Sequence, residues 1–468
     1  MAGTTLDSRA ERRRMMLEDP VIKVIPLIAF PMIISMLIDS LYNIADTYFV
    51  SQLGRAATAA VGVNDSMTHF IRSVAMGFGM GASSIMSRLL GAKKDEEACR
   101  VGTTAMFTSI VVLTVLASIA YLFLDPLVSL LGATETAKPY SMDYARFILL
   151  SAPFTAGEVA LSQMLRSEGS TKFSMFGMVS GCVVNVALDP LFIHTFGMEV
   201  AGAALATTIS KVISFLVLLW PFLTKKTVME IKFRYFTPKW RIYKEIIRMG
   251  LPTFLRASMM TVSSVITNNI AGSFSDSALA AVSVANKCTR LVGSAIMGFG
   301  QGFQPVAGYC WGARYYRRLR HCFWVTTAIG AAMAVVIGAA MAIGAKALVK
   351  VFAADDADII AIGTLMIRTQ CYTMFFHIWG MIINGLFQAL GRAVPAAVLG
   401  LSRQVICLIP CVIILSKLFG ITGLAISQAA ADVIGMFIAV PMVINISKEL
   451  NALIAEHPDP EKIPDKVD

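Results

Sequence analysis

Asp39, Asn43 and Asp46 are spaced four and three residues apart, so on a helix all three share one face. Asn185 and Asp189 repeat the spacing of four, and Pro190 behind them removes a helical hydrogen bond and frees the carbonyl of Val186. Ala203 and Thr207 are again four apart. Carboxylates, an amide, a hydroxyl and a freed carbonyl are hard oxygen donors, which suit Na+ or a shared proton. Asp46, Asn185, Asp189, Ala203 and Thr207 form the candidate cation site, with the two acids titrating as a coupled pair. The plainer alternative has Asp46 and Asp189 capping helix ends or meeting water. Asp39, Asn43, Glu158, Gln163 and Arg256 are candidates to line a cavity, where Asp39 would favour cationic substrates. Asp39 and Glu158 are read equally well as packed beside Arg146 or Lys211.

The elements that carry these residues are apolar. A 56% hydrophobic composition with 15% charge and a mean hydropathy of +0.69 describes a chain dissolved in lipid. Crossing the hydrocarbon layer takes about 20 residues, and twelve runs are long enough: near 24–50, 58–87, 99–124, 140–165, 172–194, 199–222, 244–272, 278–309, 321–345, 362–390, 395–416 and 421–445. They are continuous and rich in Ala, Met, Leu and Gly, without the alternation of a membrane barrel, so they are helices. At mid-membrane an ionised carboxylate costs about 2.5–3.5 kcal/mol, which makes a role for the acids the economical reading.

The net charge of +10 reads as topology. Arg12, Arg13 and Arg14, then Lys93 and Lys94, then Lys225, Lys226, Lys232, Arg234, Lys239 and Arg241, then Arg314, Arg317, Arg318 and Arg320 make every second loop basic. By the positive-inside rule both termini are cytoplasmic and the chain is a multi-pass protein of the inner (plasma) membrane. Runs 1 and 5 then point outward and run 6 inward, so Asp46, Asn185, Asp189, Ala203 and Thr207 all fall in the outer half of the first lobe.

Sliding the chain by 221 residues aligns Pro31 with Pro252, Ala59-Ala60-Val61 with Ala280-Ala281-Val282, and Met76-Gly77-Phe78-Gly79 with Met297-Gly298-Phe299-Gly300. A shift of 222 continues through Phe154 with Phe376 and Gly169 with Gly391. Six helices thus repeat once, giving two lobes related by a pseudo-twofold axis along the membrane normal, an architecture of transporters. The expected organisation is an N-terminal tail (1–21), an N-lobe (22–223), a basic linker (224–243), a C-lobe (244–446) and a polar, disordered tail from 447 to 468. Pro31 and Pro252 bend their helices, as packing kinks or as hinges. Helices 7 to 11 contain no carboxylate in their middle and Asp432 in helix 12 is the exception, while Arg256 and Arg290 place positive charge in helices 7 and 8. Met36, Met80 and Met259 fit either an adaptable binding surface or ordinary core.

The chain resembles the multidrug and toxic compound extrusion (MATE) family, in its DinF-like branch. The residues that carry this are Pro31 with Tyr42-Asn43-Ile44-Ala45-Asp46-Thr47, Gly77-Phe78-Gly79-Met80-Gly81, Leu165-Arg166-Ser167-Glu168-Gly169, and Asn185-Val186-Ala187-Leu188-Asp189-Pro190. The resemblance implies two six-helix lobes alternating access and exporting small amphipathic or cationic compounds against H+ or Na+. It implies the same cation site and a hinge at Pro31, and no cofactor beyond the coupling ion. The expected partners are small organic substrates and the lipid bilayer, with no nucleic acid, for a protein working as a monomer. A lipid-linked saccharide flippase is the nearest alternative. The five histidines form no paired metal motif and no nucleophile elbow is present, so no enzymatic activity is expected; a channel fits the repeated, bent helices less well than a carrier.

Overall fold

The computed structural model describes residues 3–353 and 356–457. The chain is all-helical, in the order α1 (Gly3–Leu17), α2 (Val21–Ser51), α3 (Arg55–Gly91), α4 (Asp95–Leu122), α5 (Leu124–Leu130), α6 (Lys138–Ser167), α7 (Thr171–Pro190), α8 (Glu199–Leu223), α9 (Trp240–Phe274), α10 (Asp276–Gly312), α11 (Tyr316–Ala353), α12 (Ala357–Tyr372), α13 (Met374–Ala389), α14 (Ala393–Leu401) and α15 (Leu408–Glu456). Every one of the twelve apolar runs lies in helix. Several run through a break: α7 continues as a π-helical turn over Leu191–Thr195, α12 and α13 meet at 53°, and α14 passes through a π-helical turn at Ser402–Cys407 into α15. α15 itself turns at Gly420, whose φ of 58° belongs to the left-handed region, so one helix label covers two spans.

Helix ends repeat along with the sequence. Gly169 (φ 85°) closes α6 and Gly391 (φ 78°) closes α13. After each, an amide reaches back five residues, Ser170 N to Leu165 O at 2.7 Å and Arg392 N to Phe387 O at 2.9 Å. This is the glycine stop that satisfies the last carbonyls of a helix, and it explains why those two glycines coincide under the shift of 222.

Two compact units are present, one of residues 1–14 and 34–250, the other of residues 15–33 and 251–468. They differ from a division in chain order at one place each. The first part of α2 packs with the second unit and the first part of α9 with the first, and the changeovers, after Ile33 and after Gly250, lie within two residues of Pro31 and Pro252.

The glycine-rich stretches explain this exchange. In the first unit a Cβ on Gly81 would stand 2.2 Å from Ile246 O, and one on Gly250 would stand 2.0 Å from Gly77 O. In the second unit a Cβ on Gly298 would stand 2.7 Å from the backbone of Ile33, and one on Gly302 2.5 Å from Ala29 Cα. Bare backbone lets the helices touch, the small-residue packing typical of membrane helices.

One expectation is corrected at the termini, where the polar tail from Ser447 begins as helix. The N-terminal tail contains α1, held by Arg12 and Arg13, and the stretch from Ser447 to Glu456 continues α15; the rest of the C-terminal tail, 458–468, lies outside the described residues. The basic linker is docked, with Thr227, Val228 and Met229 buried. Met36 and Met80 are buried in the core and offer no binding surface, while Met259 is half-buried.

Candidate functional site

The first unit brings α2, α7 and α8 together because its helices carry small residues where they cross. Added Cβ atoms at Gly177 and Gly181 of α7 would stand 2.3 Å from Leu218 and 2.9 Å from Ser214 of α8, and one on Gly202 would meet Phe192 at 2.8 Å. Close approach places Asn185 directly against Thr207. With the amide oriented to satisfy both of its ends, Asn185 Nδ2 donates to Asp189 Oδ2 at 3.0 Å, and its oxygen accepts from Thr207 Oγ1 at 3.2 Å and Thr207 N at 3.1 Å.

Asp189 is fully buried, and its second oxygen, Oδ1, has no hydrogen-bond partner. Asp46 on α2 is half-buried, and its buried Oδ1 is also without a partner. The charge of Asp46 reaches Asp189. Buried carboxylate oxygens left unsatisfied are costly, and the one on Asp189, beside the amide that Asn185 shares with Thr207, is a group that a proton or a small cation would satisfy. Ala203, fully buried one turn before Thr207, keeps the wall thin there.

A narrow polar cavity adjoins this cluster, lined among others by Asp39, Tyr42, Glu158, Asn185, Thr207 and Lys211. About 10 Å³ of it is open to the centre of a water-sized particle, room for a single water or ion. Asp39 is held by Arg72 of α3, Nη2 to Oδ2 at 3.0 Å. Glu158 is held by Lys211 at 3.0 Å, while Arg146 pairs with Asp143. Glu158 therefore both lines the cavity and packs beside Lys211, not Arg146.

The remaining candidates lie elsewhere. Asn43 is exposed and its amide donates to the backbone of its own helix, at Asp39 O. Gln163 is buried, with its chain against Gly79 and its Nε2 3.9 Å from Met76 Sδ. Arg256 belongs to the second unit and is half-buried on α9. Pro31 sits inside α2 beside the changeover between units.

Three residues were not foreseen. Tyr42, one turn before Asp46, lines the same narrow cavity as Thr207. Arg72 and Asp65, both on α3, stand near Asp39 and Asp46 respectively. Their signal was present: a charged residue inside the run at 58–87 demands a partner. Among the described residues no group of three or more His, Cys, Asp or Glu side chains is arranged to hold a metal.

Comparison with known proteins covers most of the chain. A model of the MatE family matches residues 31–191 and 252–413, one copy in each half. The multidrug export protein MepA of Staphylococcus haemolyticus is 27% identical over 435 residues, 92% of this chain and 95% of the relative. MepA of Staphylococcus aureus is 27% identical over 419 residues, 89% of this chain and 92% of the relative. Among solved structures, a MATE in complex with MaL6 superposes with a TM-score of 0.89 at 26% identity, covering 94% of this chain and 98% of the other. A MOP superfamily transporter from Pyrococcus furiosus gives a TM-score of 0.87 at 26% identity, with the same coverage.

Proposed function

The chain belongs to the MatE family of multi-pass transporters, and on that premise we propose that it is a secondary multidrug exporter coupled to inward flow of H+ or Na+. The substrates are small amphipathic organic compounds, in keeping with the multidrug export named for the MepA relatives. The membrane is the plasma membrane, with both termini on the cytoplasmic side, as the basic loops require.

The observation that carries this reading is the pair of partnerless carboxylate oxygens on Asp46 and Asp189, beside Asn185 and Thr207. An ion that is only cargo must enter and leave, so its site needs donors that are left incomplete without it. Two acids of which one feels the charge of the other, beside a narrow cavity, alternate between sharing a proton and receiving a cation. Pro31, beside the point where α2 passes from one unit to the other, is the hinge by which occupancy of this site alters the helix. The acid pair lies within one unit, and the protein works as a monomer.

The test is release of protons from acid-loaded everted vesicles on addition of a cationic dye, in wild type and Asp189→Asn, with and without Na+. Release that requires Asp189 and ignores Na+ identifies proton antiport through this site. Release only with Na+ assigns the coupling to sodium. A mutant indistinguishable from wild type removes Asp189 from the coupling site and overturns the reading.

A further inference from the structure

The second unit carries charge of the opposite sign to the partnerless acids, and that charge is not balanced. Arg256 lies near the middle of α9, half-buried, and its buried Nε has no hydrogen-bond partner. The charge of Arg403, in the π-helical turn, reaches it. Arg403 is itself engaged: its Nε bonds Asp432 Oδ1 at 2.6 Å, and the Asp432 side chain is only 4% exposed. Gln428 Nε2 lies 3.5 Å from the same oxygen. His377 on α13 stands in the field of both arginines. Among the described residues, no carboxylate pairs with Arg256.

Two independent contacts place the stem of Arg256. Arg256 and Ser263 are seven residues apart and share a face of α9. Ser263 Oγ donates to the carbonyl of Gln404, so this face meets the π-helical turn. Two carbons of the Arg256 side chain come within 3.4 and 3.7 Å of where a Cβ would stand on Gly400, and Asn384 Nδ2 within 3.6 Å of the same point. The stem of Arg256, the amide of Asn384 and the bare backbone of Gly400 converge, with Arg403 one turn further on.

Two guanidinium groups and one carboxylate leave a single positive charge at a depth where an uncompensated charge is expensive. A planar guanidinium is the side chain best suited to a two-pronged bond with a carboxylate or sulfonate. We propose that Arg256, beside Asn384, whose amide also donates to Ala396 O at 2.7 Å, is the residue that binds the anionic group of those amphipathic substrates that carry one. This deepens the export reading and rests on it for the word substrate; the binding itself does not depend on transport.

The experiment uses full-length protein in lipid nanodiscs and two dyes that differ by one ester: rhodamine 19, which carries a carboxylate, and its ethyl ester, rhodamine 6G. Binding is read by fluorescence polarisation for wild type, Arg256→Gln and Arg256→Lys. The acid is expected to bind Arg256→Gln about tenfold more weakly than wild type, the worth of one charge-assisted hydrogen bond. The ester should change by less than about twofold, and Arg256→Lys should recover part of the loss, since it keeps the charge and loses the fork. An acid-to-ester ratio equal in wild type and Arg256→Gln overturns the proposal.

Should Arg256→Gln fail to fold, wild type alone decides: benzenesulfonate displaces the acid and spares the ester, or the proposal falls. Raising chloride from a low to a physiological concentration separates the sources of negative charge. Unchanged acid binding supports a substrate carboxylate, and its loss in chloride overturns that assignment in favour of an inorganic anion. Cells that export neither dye, with acid binding still dependent on Arg256, would sink the export reading and leave this one standing.

Discussion

Arg72 of α3 closes on Asp39 of α2 as a two-pronged ion pair, Nη2 to Oδ2 at 3.0 Å and Nη1 to Oδ1 at 3.5 Å. The acid expected to recruit cationic substrates is thus already engaged by a cation of its own chain. The pair is 40% exposed on the arginine and 18% on the aspartate, so its worth is below that of a fully buried one.

Asp39→Asn is therefore expected to cost stability through a stranded Arg72, about 1–2 kcal/mol after allowance for exposure. The double substitution Asp39→Asn with Arg72→Gln should recover at least half of the lost thermal midpoint. A single mutant with unchanged stability but a reduced preference for cationic dyes would show that Asp39 contacts substrate instead.

At Thr207 the hydroxyl and the backbone amide together fix Asn185, whose Nδ2 in turn holds Asp189. Thr207→Val removes one bond to a buried amide, about 1–3 kcal/mol of local order. Coupled dye export should fall about fivefold or more in Thr207→Val by the same energy, and Thr207→Ser should remain near wild type. Equal transport by the two variants would show that the hydroxyl plays no part.

Where α3 crosses α9, Gly81 and Gly250 have no space for a side chain. Gly81→Val or Gly250→Val should cost about 3 kcal/mol or more and leave little folded protein on size-exclusion chromatography. Gly62 of α3 has nothing within 4 Å of its would-be Cβ. Gly62→Ala should be neutral or raise stability by up to about 1 kcal/mol.

Glu168 ties three elements at one end of the first unit. Fully buried, it accepts from Arg12 Nη1 at 2.5 Å, Ser170 Oγ at 2.5 Å, Val228 N at 2.8 Å and Met229 N at 2.9 Å. Burial raises its carboxyl above the usual range, against the opposing pull of Arg12 and these donors. A raised native value means the folded state holds the proton longer than the unfolded one, so this group's contribution is full at low pH and declines as pH rises through its native value. The thermal midpoint of wild type relative to Glu168→Gln should fall with rising pH, and more steeply in an Arg12→Ala background. A difference that grows with pH would mean that the pull of Arg12 and the amides outweighs burial.

Much of this was legible in the sequence because lipid is a demanding solvent. A span needs about 20 apolar residues, and so all twelve runs announce themselves. The spacing of four at Asn185 and Asp189, with Thr207 four from Ala203, likewise delivers one cluster. The breaks were not legible: the 53° bend after Tyr372, the turn at Gly420 and the π-helical turn holding Arg403 arise from what the helices meet. Arg72 escaped notice for a different reason. It lies inside a long helical run that reads as packing, and only the folded chain shows which acid it neutralises.

The exchange at Pro31 and Pro252 bears on ancestry. Each six-helix block lacks the piece that fills its own glycine groove: Gly298 and Gly302 receive Ala29 and Ile33, and Gly77 and Gly81 receive Gly250 and Ile246. A lone block with the same pattern would show a bare slot along its second helix and a dangling half of its first. Two such blocks complete one another only by trading those halves, as a strand-swapped dimer does. In a single chain that trade is built in, and either half expressed alone would be an unfinished protein.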